Sequence, residues 1–219
     1  MLKAIIFDFD GVICESVDVK TEAFRKLFLN YPEHLDQIIK YHVKNGGLSR
    51  FKKFEFIYRD FFKKKLTANE SARLGKNFQE YSLEGVIKSA FVKGAKGFLK
   101  KYHTKFSLFI VSGTPEKEMN FILKKRKLEK YFKNVYGSPQ TKVKLIKRIL
   151  KRYHLKKDEV IFVGDSINDY EGAWKAGIKF IGRVKSGQFN PFVNYRQVNG
   201  IVRDLHGLDA LLTKKMILP

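Results

Sequence analysis

The sequence predicts an α/β fold: an open parallel sheet with helices on both faces, carrying an all-helical insertion near its start. Three observations predict it. Ala4-Ile5-Ile6-Phe7 is a short, wholly apolar run of the kind a strand buried on both faces uses. Beyond about residue 90, apolar strand-like runs alternate with helix-period segments, the rhythm of a parallel sheet built from crossover connections. Between them, residues 16–89 hold helical periodicities and no convincing strand. The first strand has to join the sheet of the later ones, so the helical block reads as an insertion. Residues 1–15 and 90–219 then form one unit and residues 16–89 another.

Taken in order, the chain turns on Gly11 after the first strand and changes period. Val19, Ala23, Phe24, Leu27 and Phe28 recur at helical spacing from Asp18 to Leu29, and Pro32 breaks that helix. A second helix is expected from Leu35 to Val43, stopped by Asn45-Gly46-Gly47. An aromatic-rich helix spans Phe51 to Phe62, and Thr67 or Asn69 starts a fourth towards Leu83. Phenylalanines at this density read as core rather than as a ligand cage. After the insertion come a helix over 93–103, a strand over 107–112 closing on Gly113-Thr114-Pro115, and a helix to about Lys127. A weaker strand over 131–136 ends in Gly137-Ser138-Pro139, and a helix covers 141–153. Val160 to Val163 is a buried strand ending in Gly164-Asp165-Ser166, followed by a small-residue helix over 172–176. Strands over 178–181 and 200–202 and a helix over 205–212 complete the reading.

Composition narrows the class. At 219 residues and 44% hydrophobic content, the chain can bury one sizeable core and a smaller second lobe. No apolar run approaches the roughly 18 residues of a membrane span, and the N-terminus lacks a secretory pattern. Cys14 is the one cysteine, so no intramolecular disulfide forms, and a reducing cytoplasm is expected. It reads as a small packing residue rather than a nucleophile. The formal charge of +22 favours anionic ligands, but the lysines are scattered along the chain rather than gathered into a groove. That spread suits solvated helix faces, and no specific nucleic-acid partner and no membrane partner are expected.

The chemistry gathers at strand ends. Asp8 and Asp10 point to one side of the extended chain, with Phe9 opposite. Two carboxylates so close repel unless a cation or a shared proton relieves them, and a hard divalent ion such as Mg²⁺ suits oxygen ligands. The second strand ends in Ser112-Gly113-Thr114, the third leads into Gly137-Ser138-Pro139-Gln140-Thr141-Lys142, and the fourth into Asp165-Ser166-Ile167-Asn168-Asp169. Three of these carboxylates suffice for one Mg²⁺, while a hydroxyl, a lysine and backbone N–H groups suit a phosphate. That is the inventory phosphoryl transfer requires.

These motifs resemble the haloacid dehalogenase-like superfamily, in its phosphatase branch with a helical cap after the first motif. FDFDGVI resembles the first family motif, VSGT the second, GSPQTK the third and GDSINDYEGAWKAG the fourth. The resemblance spans essentially the whole chain and implies a Rossmann-like α/β core, residues 1–15 and 90–219, with an inserted α-helical cap domain, residues 16–89. It implies Asp8 as nucleophile forming an aspartyl-phosphate, and Asp10 as general acid and then base. It also implies Mg²⁺ held by Asp8, the Asp10 backbone carbonyl and Asp165, with Asp169 as a supporting or further ligand. Ser112, Gly113 and Lys142 would hold the phosphoryl group, with Lys144 an alternative to Lys142. Retention of Asp10 points to a phosphoryl substrate, since a halide leaving group needs no protonation.

In the cap, Gly47-Leu48-Ser49-Arg50 resembles a segment of β-phosphoglucomutase-like members in which the arginine holds a second phosphate. The alternative is a helix start with Ser49 as cap and Arg50 solvated. Those mutases carry a histidine where this chain has Lys20, which favours hydrolysis and leaves Lys20 as a cation at the site mouth. The resemblance thus implies a cytoplasmic Mg²⁺-dependent phosphatase for a small phosphorylated metabolite such as a sugar phosphate. A phosphomutase is the first alternative, and a basic nucleic-acid-binding protein with a vestigial site the second.

Overall fold

The computed structural model describes residues 1–214. Six parallel strands form a single sheet in the order β3-β2-β1-β4-β5-β6. They are β1 (Ala4–Phe7), β2 (Ser107–Pro115), β3 (Asn134–Ser138), β4 (Val160–Gly164), β5 (Lys179–Arg183) and β6 (Val198–Val202). β1 lies in the middle, with Ala4 beside Ser107 on one side and Val160 on the other. Alternation along β1 divides its side chains between two cores. Ile5 and Phe7 join Phe98 and Leu99 of α5 (Ala95–Tyr102), Met119 and Ile122 of α6 (Glu116–Lys125) and Leu208 of α9 (Leu205–Lys214). Ala4 and Ile6 join Leu145 and Ile149 of α7 (Lys142–Arg152) and Ala173 of α8 (Ile167–Ala176) on the other face. The α/β sandwich expected from the sequence is therefore present, with β1 buried on both faces.

Between β1 and β2 run α1 (Val17–Leu27), α2 (Pro32–Lys44), α3 (Arg50–Phe56) and α4 (Ala68–Lys88). Pro32 stands in the first turn of α2, where its missing N–H costs nothing, so it starts that helix, whereas α1 has already ended at Leu27. Thr67 caps α4, accepting the Glu70 N–H at 3.2 Å while Glu70 Oε2 accepts the Thr67 N–H at 3.1 Å. The aromatic helix departs from expectation. α3 passes into a π-helical turn over Ile57–Phe61, which sets Phe61 against Tyr41 and Phe62 against Phe28. The block has its own apolar centre of Phe24, Phe28, Ile38, Phe54, Ile57, Leu74 and Phe78. Its entering and leaving strands run side by side, with Glu15 N–H donating to Ala90 O at 2.9 Å and Val92 N–H to Ile13 O at 3.0 Å.

Two further differences have local causes. β2 stays extended through Gly113-Thr114-Pro115, and its register against β3 shifts between Val111 and Pro115. α8 begins at Ile167 rather than Gly172, because Ser166 caps it: its Oγ accepts the Asp169 N–H at 3.3 Å.

Candidate active site

The strand order reverses about β1, and open α/β sheets bind ligands at the carboxyl ends of strands beside such a reversal. The sequence-predicted residues meet there. Asp8 is 2% exposed, and its Oδ1 accepts the Phe9 N–H at 2.7 Å. Its Oδ2 accepts Lys142 Nζ, also at 2.7 Å, and Lys142 donates in addition to Asp169 Oδ1. Lys144 is exposed on the same helix, so Lys142 is the lysine brought to Asp8. Asp169 is held by Ser166, whose N–H and Oγ–H donate to its Oδ2 at 3.0 and 2.6 Å. Gly11 has φ +73°, and a side chain there would overlap the Asp165 carboxylate. Glycine thus lets the turn after Asp10 pass directly over Asp165.

Asp8, Asp165 and Asp169 each place a carboxylate oxygen within 4.8 Å of the others. Burial, reinforced by Asp169 and Asp10 against the opposing pull of Lys142, pushes Asp8 up to about 7. Burial followed by the charges of Asp169 and Asp8 raises Asp165 well above the carboxylate range. Burial acts to lower Lys142, but Asp169 and Asp8 outweigh it and hold the ammonium above its ordinary value. Three converging hard oxygen donors, offset by a single ammonium, are the donor set a Mg²⁺-sized cation fits. The carboxylate of Asp10 lies outside this group: its Oδ1 accepts Ser16 Oγ at 2.6 Å and its Oδ2 accepts Lys20 Nζ. Lys20 also donates to Thr114 Oγ1 at 2.6 Å. Ser112 is buried, and its Oγ accepts the Thr114 N–H at 3.1 Å, leaving its own proton to donate.

The helical block closes the site from above. Gly47, at φ +69°, sits where a Cβ would lie 2.7 Å from Ser166 Oγ and 3.1 Å from Lys142 Nζ. Asn168 Nδ2 donates to Gly47 O at 2.9 Å, and Gly113 packs against the same carbonyl. The Gly46-Gly47 pair, expected as a helix stop, is also a close-approach loop over Asp8.

Arg50 matches neither expectation, being neither solvated nor free for a ligand. Its Nη2 donates to Glu118 Oε1 of α6 at 2.7 Å and its Nη1 to Gly75 O at 3.3 Å, with both side chains of the ion pair 4% exposed. Its guanidinium also lies over the Phe78 ring at 4.4 Å. Ser49 precedes α3 but makes no side-chain cap, and its buried Oγ has no partner among the described residues.

Lys53 and His42 were not singled out from the sequence. Lys53 Nζ donates to His42 O at 2.9 Å and lies 3.3 Å from His42 Nδ1. Burial, then the charge of Lys20, lowers Lys53 to about 7; burial, then Lys53, lowers His42 to about 2. Both line a cavity of about 640 Å³ that reaches Asp8, Asp10, Lys20 and Asp165 and has Phe24 and Phe78 among its walls. A larger cleft of about 860 Å³ at the opposite sheet edge, beside Lys3, Lys105 and Lys133, has no carboxylate among its described lining residues. It therefore offers no carboxylate nucleophile and no carboxylate cluster for a hard divalent cation. Cys14 is fully buried and its thiol is pushed up to about 12 by burial, as a packing residue's should be.

Known proteins resemble this chain in sequence and in fold. The chain is 25% identical to a phosphorylated carbohydrates phosphatase of Thermotoga maritima over 82% of its own length and 84% of that protein's. It is 27% identical to a phosphoglycolate phosphatase of Vibrio parahaemolyticus, covering 83% of each. The fold superposes on a hydrolase from Pseudomonas syringae with a TM-score of 0.81 at 19% identity, covering 97% of this chain and 98% of that one. A family model described as haloacid dehalogenase-like hydrolase matches residues 5–183, from β1 to the end of β5 and through every strand-end motif above. The chain belongs to the haloacid dehalogenase-like hydrolase family.

Proposed function

We propose that this hydrolase is a Mg²⁺-dependent phosphatase that cleaves a small phosphate monoester through an aspartyl-phosphate on Asp8. The observation that carries the reading is the setting of Asp8: a buried carboxylate against Lys142, with a second carboxylate, Asp10, held separately by Ser16 and Lys20. Asp8 attacks phosphorus and the ester P–O bond breaks. Asp10 gives its proton to the leaving oxygen, then takes one from the water that hydrolyses the acyl phosphate. Ser112 Oγ–H, the Gly113 N–H and Lys142 hold the phosphoryl oxygens as charge spreads over them. Asp8, Asp165, Asp169 and the Asp10 carbonyl would hold Mg²⁺, which when bound neutralises phosphoryl charge. Residues 16–89 act as a cap that sheds water from Asp8 on closure. Lys20, on Asp10 where related mutases have histidine, favours hydrolysis over return of the phosphoryl group to a second hydroxyl. Both curated relatives are named as phosphatases, which supports the same choice. No described helix is long and apolar enough to cross a membrane, and a cytoplasmic location belongs to the same proposal.

Phosphate release from a panel of phosphorylated metabolites and an aryl phosphate, with and without Mg²⁺, tests it alongside Asp8→Asn. Metal-dependent release abolished in the variant is the expected result. Release that persists in Asp8→Asn overturns the covalent route, and none from any ester overturns the phosphatase reading.

A further inference from the structure

The cations near the site differ in one respect. Lys20 faces Asp10, Lys142 faces Asp8 and Asp169, and Arg50 faces Glu118. Lys53, 3% exposed, is the buried one with no carboxylate within ion-pair distance among the described residues; Lys44, on the same cavity and also without one, is exposed. Its polar neighbours are the His42 carbonyl and ring nitrogen, and its ammonium lies 5.5 Å from the centre of the Phe24 ring. An ammonium taken from water without an anion is costly to keep, and a neutral carbonyl offsets only part of that cost. Yet Lys53 lines the 640 Å³ cavity together with Asp8, Asp10, Phe24 and Phe78. The aromatic walls exclude water and strengthen any charge pair formed there. Arg50 lines the same cavity, but its charge is already answered by Glu118 Oε1 at 2.7 Å.

We propose that Lys53 is the recognition residue for a second anionic group on the substrate, a carboxylate or a second phosphate, carried by the same small molecule whose ester phosphate meets Asp8. This rests on the phosphatase reading for which end of the molecule reacts. Glu118 answers Arg50 from within the protein, so the ligand's anion is left to Lys53. Substrate choice in this chain is then set by a lysine on α3 rather than by the arginine three residues before it.

The test separates binding from turnover. Equilibrium binding to the Mg²⁺-loaded protein is measured with two short phosphonates, which cannot be hydrolysed, one ending in a carboxylate and one in a methyl group. A third ending in a second phosphonate distinguishes the two anion types. The wild type is expected to prefer an acid-ended compound by about tenfold or more, the range of a charge-assisted hydrogen bond. Lys53→Met removes that preference and leaves the methyl-ended affinity unchanged. Lys53→Gln keeps an N–H for the His42 carbonyl without the charge and loses the preference too. Equal wild-type affinity for all three compounds, no binding of any, or a preference that survives both variants overturns the inference. Aryl phosphate turnover is followed in parallel. Preference without turnover sustains the Lys53 site and overturns the phosphatase reading; turnover without preference does the reverse.

Discussion

Asp8 and Asp10 lie two residues apart yet have different surroundings, which suits the different roles proposed for them. Asp8 is enclosed by carboxylates and Lys142, whereas Asp10 is aligned by Ser16 and Lys20 at the edge of the cavity. Asp10→Asn keeps the size but neither gives nor takes the proton. Its kcat is expected to fall roughly a hundredfold to ten-thousandfold, with ester binding little changed, read from steady-state kinetics. His42 carries a separate prediction. Folding holds it near 2 against 6.5 for the free side chain, through burial and the nearby charges of Lys53 and Lys20. Below pH 6.5 the unfolded chain takes up a proton that the folded state refuses, so stability falls as pH falls. The slope is about 1.4 kcal/mol per pH unit. His42→Phe, which keeps a ring against Phe24 where the imidazole lies 4.0 Å away and tilted by 40°, should flatten that part of the curve in urea unfolding between pH 7 and 5. Parallel curves for the two proteins would refute it.

At the level of elements, the helical block, proposed as a cap, is held over the sheet edge by contacts between residues far apart in the chain. Arg50 of α3 and Glu118 of α6 form a buried pair, and Gly113 at the end of β2 packs on the Gly47 carbonyl. Removing Glu118 leaves a guanidinium buried without its anion, a cost of about 3–5 kcal/mol in a cap that stays shut. Opening returns Arg50 to water. Glu118→Ala is therefore expected to enlarge the radius of gyration in small-angle scattering. Gly113→Ala should act in the same direction, since its Cβ would stand 2.6 Å from Gly47 O. Unchanged scattering from both variants would show that these contacts do not hold the cap. None of this was legible in the sequence. Strands and most helices announce themselves by period, and of Thr67 and Asn69, the two starts the sequence offered for α4, Thr67 is the cap. A pair such as Arg50–Glu118 is made by docking two elements far apart in the chain and leaves no local pattern. Lys53 is hidden the same way, within a run of lysines and phenylalanines. The π-helical turn over Ile57–Phe61 was hidden by its aromatics, whose spacing reads as ordinary helix.

Across the whole molecule, the sheet and its reacting edge were readable because each motif sits directly after an apolar strand run. Asp8, Ser112 and Asp165 are each marked by the hydrophobic residues before them, and parallel topology carries all three to one edge. Lys142 and Lys144 could not be separated until α7 was in place, since only its rotation decides which one turns inward. The charge of +22, carried by lysines scattered along the chain, sets an expectation for non-specific binding. Affinity for random-sequence duplex DNA is expected to fall steeply between about 50 and 200 mM salt, and a scrambled duplex should bind equally well. A preference for one sequence at fixed salt would reveal a dedicated nucleic-acid face and contradict the scattered-lysine reading.

The position of β1 also bears on how the protein is made. Its neighbours start at Ser107 and Val160, so on the ribosome Ala4-Ile5-Ile6-Phe7 emerges long before either edge has a partner. The apolar centre of the helical block is drawn from residues 23–78 and can close in the interval. Contacts this distant in sequence form slowly, and an unpaired apolar strand is exposed to aggregation meanwhile. Synthesis thus produces the strand leading into Asp8 well before the two strands that pair with it.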